Sequence, residues 1–360
     1  MRTGIANLPL HYGTAPAWLF EKMKHLAREI SMILVLEFGP AEFLKKLSDP
    51  FWFQSFGCVL GFDWHSSGLT TTVCAALKEG LRGLEKDLGI FVCGGKGKTS
   101  RKTPEEITQI ADRYSLNGNR LVYASKMSAK VDNSALQDGY QLYHHTFIFD
   151  KNGRWAVIQQ GMNDRNSFAR RYHWLDLKSD KDFVREPHTG IAAEHQEKNV
   201  LNMVAYESEK ARKISTQIAN EKPEKNIRHI KRIQELSMPR SHEIGKIKEN
   251  NLEKVLRKTY ERKPKNFESL LSIEGVGPKT IRALSLIAEL IYKAEPSYKD
   301  PARFSFAHGG KDGVPYPIDK FGYEKSIEVL KRVVNQAKIG EREKINAFRR
   351  LASQNLINQV

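Results

Sequence analysis

The sequence predicts an α+β fold: a mixed or antiparallel sheet with helices over residues 1–188, then an all-helical segment over 189–360. Three observations lead there. Tyr140–Phe149 and Arg154–Gln160 flank Asp150-Lys151-Asn152-Gly153, a turn-forming quartet between two strand-like runs; that is a hairpin signal, and a hairpin means antiparallel pairing. Strand-like and helix-like segments alternate up to Arg185–Gly190, where SDKDFVREPHTG is polar and carries Pro187 and Gly190. Beyond it the chain reads as helix, without an alternating strand.

In chain order, Pro16–Phe38 and Pro40–Leu47 read as helices, the first opening on a first-turn proline. Phe56–Trp64, FGCVLGFDW, is an apolar run of strand length, and Gly68–Leu84 follows with helical periodicity. Gly89–Cys93 is a short strand ending in the loop GGKGKTSRK. Thr103-Pro104-Glu105-Glu106 marks a helix start, with carboxylates at the positive end of the dipole. After the hairpin, Ala192–Ala219, Pro223–Leu236 and His242–Arg262 are charged helical stretches separated by Pro, Asn and Ser.

Composition narrows the class. Seventeen Phe, 12 Tyr and 5 Trp within 360 residues can fill real cores, which excludes wholesale disorder. The longest apolar run, Ile30–Phe38, is broken by Glu37 and falls short of the ~18–20 residues of a membrane span. The opening MRTGIANLPLHYG lacks a secretory pattern. Cys58, Cys74 and Cys93 have no metal spacing and read as buried thiols of a reducing compartment. A soluble cytoplasmic protein with no membrane partner is expected; homo-oligomers are compatible with it. The net charge of +16 is concentrated late, with 25 basic against 20 acidic residues up to Gly190 and 33 against 22 beyond. A polyanionic partner follows from that balance.

Leu270–Leu284, within 267–292, resembles a helix-hairpin-helix: a short helix, a Gly-hydrophobic-Gly turn, and a second helix opening at Pro278. Gly275 and Gly277 allow positive φ and close approach of a phosphate. Val276 tucks between the helices, and the exposed amides with Lys279, Thr280 and Arg282 hold the phosphate. Such contacts position DNA without reading bases. The segment is also similar to the hairpin of base-excision DNA glycosylases. That resemblance makes Lys279 a Schiff-base nucleophile assisted by Asp319, in Pro317-Ile318-Asp319, although forty residues separate the two. Arg303–Asp319, with its His308-Gly309-Gly310-Lys311-Asp312-Gly313 core, reads either as a second nucleic-acid loop or as an ordered connection.

Chemistry in the first half concentrates at two places. Asp63 and His65 lie two apart at the end of the expected strand, so they share a face, ahead of a Ser/Gly/Thr run suited to phosphate. Gly94–Thr99 is not a nucleotide-binding P-loop, because Cys93 occupies the position that requires the first glycine. Lys96 and Lys98 instead read as backbone-phosphate contacts. Ser125–His145 crowds Lys126, Lys130, Asp132, Gln137, Asp138, His144 and His145, with Gln159, Gln160, Arg170, Arg171 and His173 following. His144 and His145 face opposite sides of a strand, so one of them enters a given site. Carboxylates with imidazole suit a divalent metal that activates water, while Lys130, Arg170 and Arg171 stabilise developing charge. Asp63, His65, Asp138 and His145 are the expected ligands of Mg²⁺ or Mn²⁺. The hairpin lacks the acid-x-Lys pattern of restriction-type nucleases.

The segments RTGIANLPLHYGTAPAWL, GFDWHSSGLTT, GGKGKTSRKTPEEI, AKVDNSALQDGYQLYHH, IQQGMN, ARRYHWL and FAHGGKDGVPYPID together resemble one archaeal and bacterial family, catalogued as domain of unknown function 763. The resemblance implies an intracellular protein with a DNA-binding tail, acting in DNA repair or processing, and supplies no catalytic assignment. The function expected from all of this is a metal-dependent DNA nuclease. The alternatives are a non-enzymatic DNA-binding or adaptor protein, a glycosylase/lyase using Lys279 and Asp319, and an N-terminal-nucleophile hydrolase using Thr3.

Overall fold

The computed structural model describes residues 15–62, 67–178, 180–193, 196–234, 249–302, 320–340, 342–347 and 349. Helix α1 (Ala17–Leu47) joins the first two expected helices and is interrupted at Gly39 (φ 81°, ψ 164°), just before Pro40. A proline disfavours α geometry in the residue before it, and glycine takes the extended left-handed alternative.

The next segment corrects the sequence expectation. Residues of the apolar run assigned to a strand belong to helix α2 (Pro50–Leu60), every residue of which is buried. A helix buried all round has no polar face, so its 3.6-residue period is invisible. The informative signal lay upstream: the Asp49 carboxylate accepts from Phe51 N at 2.9 Å and Trp52 N at 3.3 Å, with Pro50 at the first position. Gly61 at φ 111° ends the helix.

Helices α3 (Gly68–Gly80) and α4 (Glu85–Leu88) lead into β1 (Ile90–Lys96). After α5 (Lys98–Arg101) and α6 (Thr103–Tyr114) comes α7 (Gly118–Lys130), which runs on through a π-helical turn, Val131–Ala135, into β2 (Leu136–Gln137). The hairpin forms as expected from β3 (Gln141–Asp150) and β4 (Trp155–Asn163). Two further sheet strands follow, β5 (Phe168–Asp176) and β6 (His188–Ala192), and then β7 (Leu201–Asn202). The sheet order is β1-β3-β4-β5-β6, antiparallel throughout, while β2 pairs separately with β7.

The expected division at 188/189 falls inside β6. Pro187 and Gly190 lie beside and within an edge strand, where they read as a linker in the sequence. The all-helix expectation beyond it therefore fails for β6 and β7, and the stretch Ala192–Ala219 is helical from α8 (Glu209–Ala219) onward. Helices α9 (Pro223–Gln234), α10 (Glu249–Arg262), α11 (Phe267–Ser272), α12 (Pro278–Tyr292) and α13 (Lys320–Gln336) complete the described chain.

Both faces of the sheet are covered, which explains why β3 and β4 read as nearly continuous apolar runs. Ile148, Ala156 and Ile158 pack with α1, α2, α3 and Leu330, Val333 and Val334 of α13. On the opposite face Phe147, Phe149, Trp155, Val157, Tyr172 and Trp174 share one continuous cluster with α7 and with Leu270, Leu271, Val276, Ile281 and Leu284. The hairpin α11–α12 thus belongs to the same core as the sheet.

Candidate active site

Two adjacent rungs of the sheet carry buried polar side chains. His145 pairs with Gly95 on one side and Gln159 on the other, and Gln159 pairs with Tyr172. The next rung aligns Lys96, His144, Gln160 and Arg171. Because successive residues of a strand face opposite ways, one rung serves each face. The sequence expectation that His144 and His145 diverge is met.

On the face of α7, a buried chain of hydrogen bonds begins at Asp132 on the π-helical turn. Its Oδ2 accepts from Trp174 Nε1 at 2.9 Å and Gln159 Nε2 at 2.6 Å, and its Oδ1 contacts His188 Nε2 at 2.5 Å. Asp132 thereby fixes the Gln159 amide, which leaves Oε1 facing His145 Nδ1 at 2.9 Å. An amide oxygen only accepts, so Nδ1 carries the proton and Nε2 holds the lone pair. His145 Nε2 meets the Ser125 hydroxyl of α7 at 2.8 Å and accepts its proton in the bond. Burial pushes the His145 imidazole down to about 4, against the smaller opposing effect of Gln159, so it is neutral at pH 7.

Beside this chain, Asp138 and Asp300 enclose Arg170. The guanidinium forks onto Asp300 at 3.0 and 2.7 Å, reaches Asp138 Oδ2 at 2.9 Å and lies over the Tyr140 ring. Tyr172 donates to the same Asp138 oxygen at 2.7 Å. Burial opposes the charge on Arg170, and the two carboxylates outweigh it, holding the group protonated.

The other face carries Arg171, which donates to His173 Nε2 at 2.9 Å, Gln54 Oε1 at 2.9 Å and Thr70 Oγ1 at 3.2 Å. Gln160 binds Ser67 O at 2.8 Å and contacts Thr70 and Tyr143. His144 Nε2 pairs with Thr146 Oγ1 at 2.9 Å, whereas its Nδ1 is buried without a partner among the described residues. Burial, then His145 and Lys96, push that imidazole down to about 3. Cys74 and Cys93 are pushed up to about 12 by burial, so they are inert thiols, as their sequence context implied.

Of the expected metal set, Asp138 and His145 lie among the described residues. Asp63 and His65 lie outside the described residues, and the strand that was to carry them is helix α2 instead. Asp138 is engaged by Arg170, Tyr172 and Tyr140 N, and His145 by Ser125 and Gln159. Among the described residues no three His, Cys, Asp or Glu side chains converge in the manner of a metal site. Arg170 and Arg171 are fully buried, and Lys130 donates from α7 to Ile273 O at 2.6 Å. Burial lowers Lys130 to about 8, against the opposing charge of Glu274.

That lysine helps to seat the α11–α12 turn. Gln137 donates to Pro278 O at 2.8 Å and Arg282 donates to Gln137 Oε1 at 2.8 Å, so the turn is tied to the sheet half from both sides. Gly275 takes φ 93°, Val276 is 1% exposed, and Gly277 lies in extended geometry ahead of the fifteen-residue α12. Glu274, Gly275, Pro278 and Lys279 are exposed, and Thr280 is buried. The stretch expected to be a loop is the end of β1 followed by Gly97 and α5, with Lys96 and Lys98 exposed on it. Thr3 and Asp319 lie outside the described residues.

Sequence reasoning missed Ser125 as a partner of His145, and missed His188 and Asp300 altogether. The adjacent pairs His144-His145 and Gln159-Gln160 on two strands of one hairpin were the available signal. No curated protein and no solved structure gives a significant match to the chain. The family model described as Protein of unknown function (DUF763) matches residues 4–318, spanning the sheet, its polar rungs and the α11–α12 turn, and the chain belongs to that family.

Proposed function

We propose that the protein binds DNA through the phosphate backbone at the α11–α12 turn, without reading bases, and that the bound DNA is its substrate in repair or processing. The observation that carries this is the turn itself: Gly275 at positive φ, Val276 anchored in the core, and Lys279 exposed in the first turn of a long helix. Backbone amides at a helix N-terminus with a flanking lysine suit a phosphate oxygen. The net charge of +16 adds attraction over longer range. For cleavage, Mg²⁺ or Mn²⁺ is the proposed cofactor, held by Asp63 and His65, because Asp138 and His145 are engaged elsewhere.

Gly277→Glu is the informative variant. Its φ of −129° is open to any residue, and a Cβ there meets nothing closer than Gly275 O at 3.9 Å, so the fold tolerates the change while a carboxylate enters the phosphate site. Gel shifts with single-stranded, duplex and flap DNA should show salt-sensitive binding that Gly277→Glu weakens by about tenfold or more on every sequence. Unchanged affinity would refute the proposal. Incubation with EDTA, Mg²⁺ or Mn²⁺ tests the second half: products that require metal and disappear in Asp63→Ala are expected. Binding without products in any arm would leave a DNA-binding protein and remove the nuclease.

A further inference from the structure

We propose that Ser125 and His145 form a serine-nucleophile centre for phosphate esters that works without metal, at the groove beside α5. Both residues line that groove, a space of about 190 Å³ shared with Ser100, Arg101, Lys126 and Tyr143. It stands apart from the metal-dependent cleavage of DNA proposed above, and the substrate class it takes is a phosphodiester.

The hydrogen-bond chain supplies what such a centre requires. A serine hydroxyl is a weak nucleophile until a base within hydrogen-bond reach takes its proton, and that base must present a lone pair in a fixed direction. His145 Nε2 lies 2.8 Å from Ser125 Oγ. Its tautomer is set by Gln159 at 2.9 Å, and the Gln159 amide is set in turn by Asp132 at 2.6 Å. Ser125 and His145 are therefore the catalytic pair, and Gln159 and Asp132 are positioning residues. A hydroxyl, an imidazole and an oriented amide in sequence exceed what is needed to hold a helix on a sheet, which the apolar contacts of α7 already do.

The groove also selects the ester. Arg101 and Lys126 are exposed on its walls, and Lys96 at the end of β1 and Lys98 at the start of α5 are exposed nearby in sequence. Gly97, between β1 and α5, has φ 59° and open space where a Cβ would stand, and backbone without a Cβ atom allows an anion close approach. A cationic site next to an activated hydroxyl matches a phosphate ester, whose developing charge it stabilises.

The step balances without any co-reactant beyond water. Ser125 Oγ bonds to phosphorus as its proton passes to His145 Nε2. The bond from phosphorus to the leaving alcohol breaks, and His145 returns the proton to the departing oxygen. Water then attacks the phosphoserine and gives a proton to His145, and the serine oxygen leaves and regains that proton.

Two small probes test this in the full chain, in EDTA and independently of the α11–α12 turn. Diisopropyl fluorophosphate, a neutral reagent, should add one diisopropylphosphoryl group that peptide mapping places on Ser125. The adduct should disappear in Ser125→Ala and form on the order of 100-fold more slowly in His145→Gln. Bis(p-nitrophenyl) phosphate should release p-nitrophenolate, and Ser125→Ala should abolish the release. Arg101→Ala and Lys126→Ala change exposed side chains, so the fold survives them. Each should slow the anionic diester by about tenfold and slow labelling by the neutral reagent, which carries no ground-state charge, by distinctly less. The proposal is overturned if folded wild type is not labelled, is labelled elsewhere, or hydrolyses the diester equally well as Ser125→Ala. Loss of DNA binding in Gly277→Glu with labelling intact would separate the two proposals.

Discussion

Asp300 and Asp138 neutralise a guanidinium that has no exposed surface. Removing one partner of a buried charge costs more than the pair contributes, because the other charge is left in a poor medium. Asp300→Asn should therefore destabilise the protein by about 3–5 kcal/mol, seen as a lower urea midpoint at unchanged slope. The buried imidazoles give a second residue-level prediction, with its sign fixed by their environment. His144 and His145 are pushed down to about 3 and about 4 by burial, while the unfolded chain titrates them near the ordinary 6.5. Between those values the unfolded state binds protons that the folded state does not, so stability falls as pH falls. Each imidazole contributes up to ~1.4 kcal/mol per pH unit, from about 6.5 down to its own folded value. His144→Gln should give a shallower dependence of the urea midpoint on pH over that window; an equally steep curve would remove the assignment.

Glycines make the corresponding argument for elements. Gly94 stands where β1 crosses β3 (φ 87°), and a Cβ there would lie 2.2 Å from His145 O and 2.5 Å from Thr103 Oγ1. Gly94→Ala must push these strands apart beside the Ser125–His145 pair, so it should lose both stability and labelling of Ser125. In the α11–α12 turn two glycines separate by backbone angle. Gly275→Ala meets a positive φ of 93° and should cost about 1–3 kcal/mol, whereas Gly277→Ala should cost well under 1 kcal/mol; equal costs in thermal melts would contradict the turn geometry. The hairpin β3–β4 was legible because two strand-like runs flank a turn quartet of the right chemistry. Helix α2 was not, since burial on every side erased its period. Strand β5 escaped notice because Arg171 and His173 point inward, against the alternation rule. The chain Ser125–His145–Gln159–Asp132 was only half legible: the crowding of polar residues is visible in one dimension, but alignment of His145 with Gln159 is a matter of register between strands.

For the whole molecule, the consequential feature is that the sheet and the C-terminal helices share one core. Phe147, Trp155 and Tyr172 of the sheet belong to the same buried cluster as Leu270, Val276, Ile281 and Leu284 of the hairpin helices. Polar ties cross the same interface, from Lys130 to Ile273 O, from Gln137 to Pro278 O, and from Arg170 to Asp300. A chain ending at residue 188 would lose most of β6 together with α8–α13, stripping away the part of the shared core beyond α6 and α7 and leaving Arg170 without Asp300. Exposed apolar area costs roughly 25 cal/mol per Å², and a few large side chains suffice to exceed the 5–15 kcal/mol stability typical of a domain. Residues 1–188 expressed alone should therefore show no cooperative thermal or urea transition, whereas the full chain should unfold in one transition at this interface, with Trp155 and Trp174 reporting the same midpoint by fluorescence as the helices do by circular dichroism. A folded, cooperatively melting 1–188 fragment would mean that the sheet face closes on its own. In that case the α11–α12 turn would be an independent attachment, and Lys130, Gln137 and Arg282 would merely touch it. If the fragment fails as expected, DNA held at the turn and chemistry at the polar rungs lie on one rigid frame, with Lys130 on α7, the helix that carries Ser125, bonded directly to the turn at Ile273.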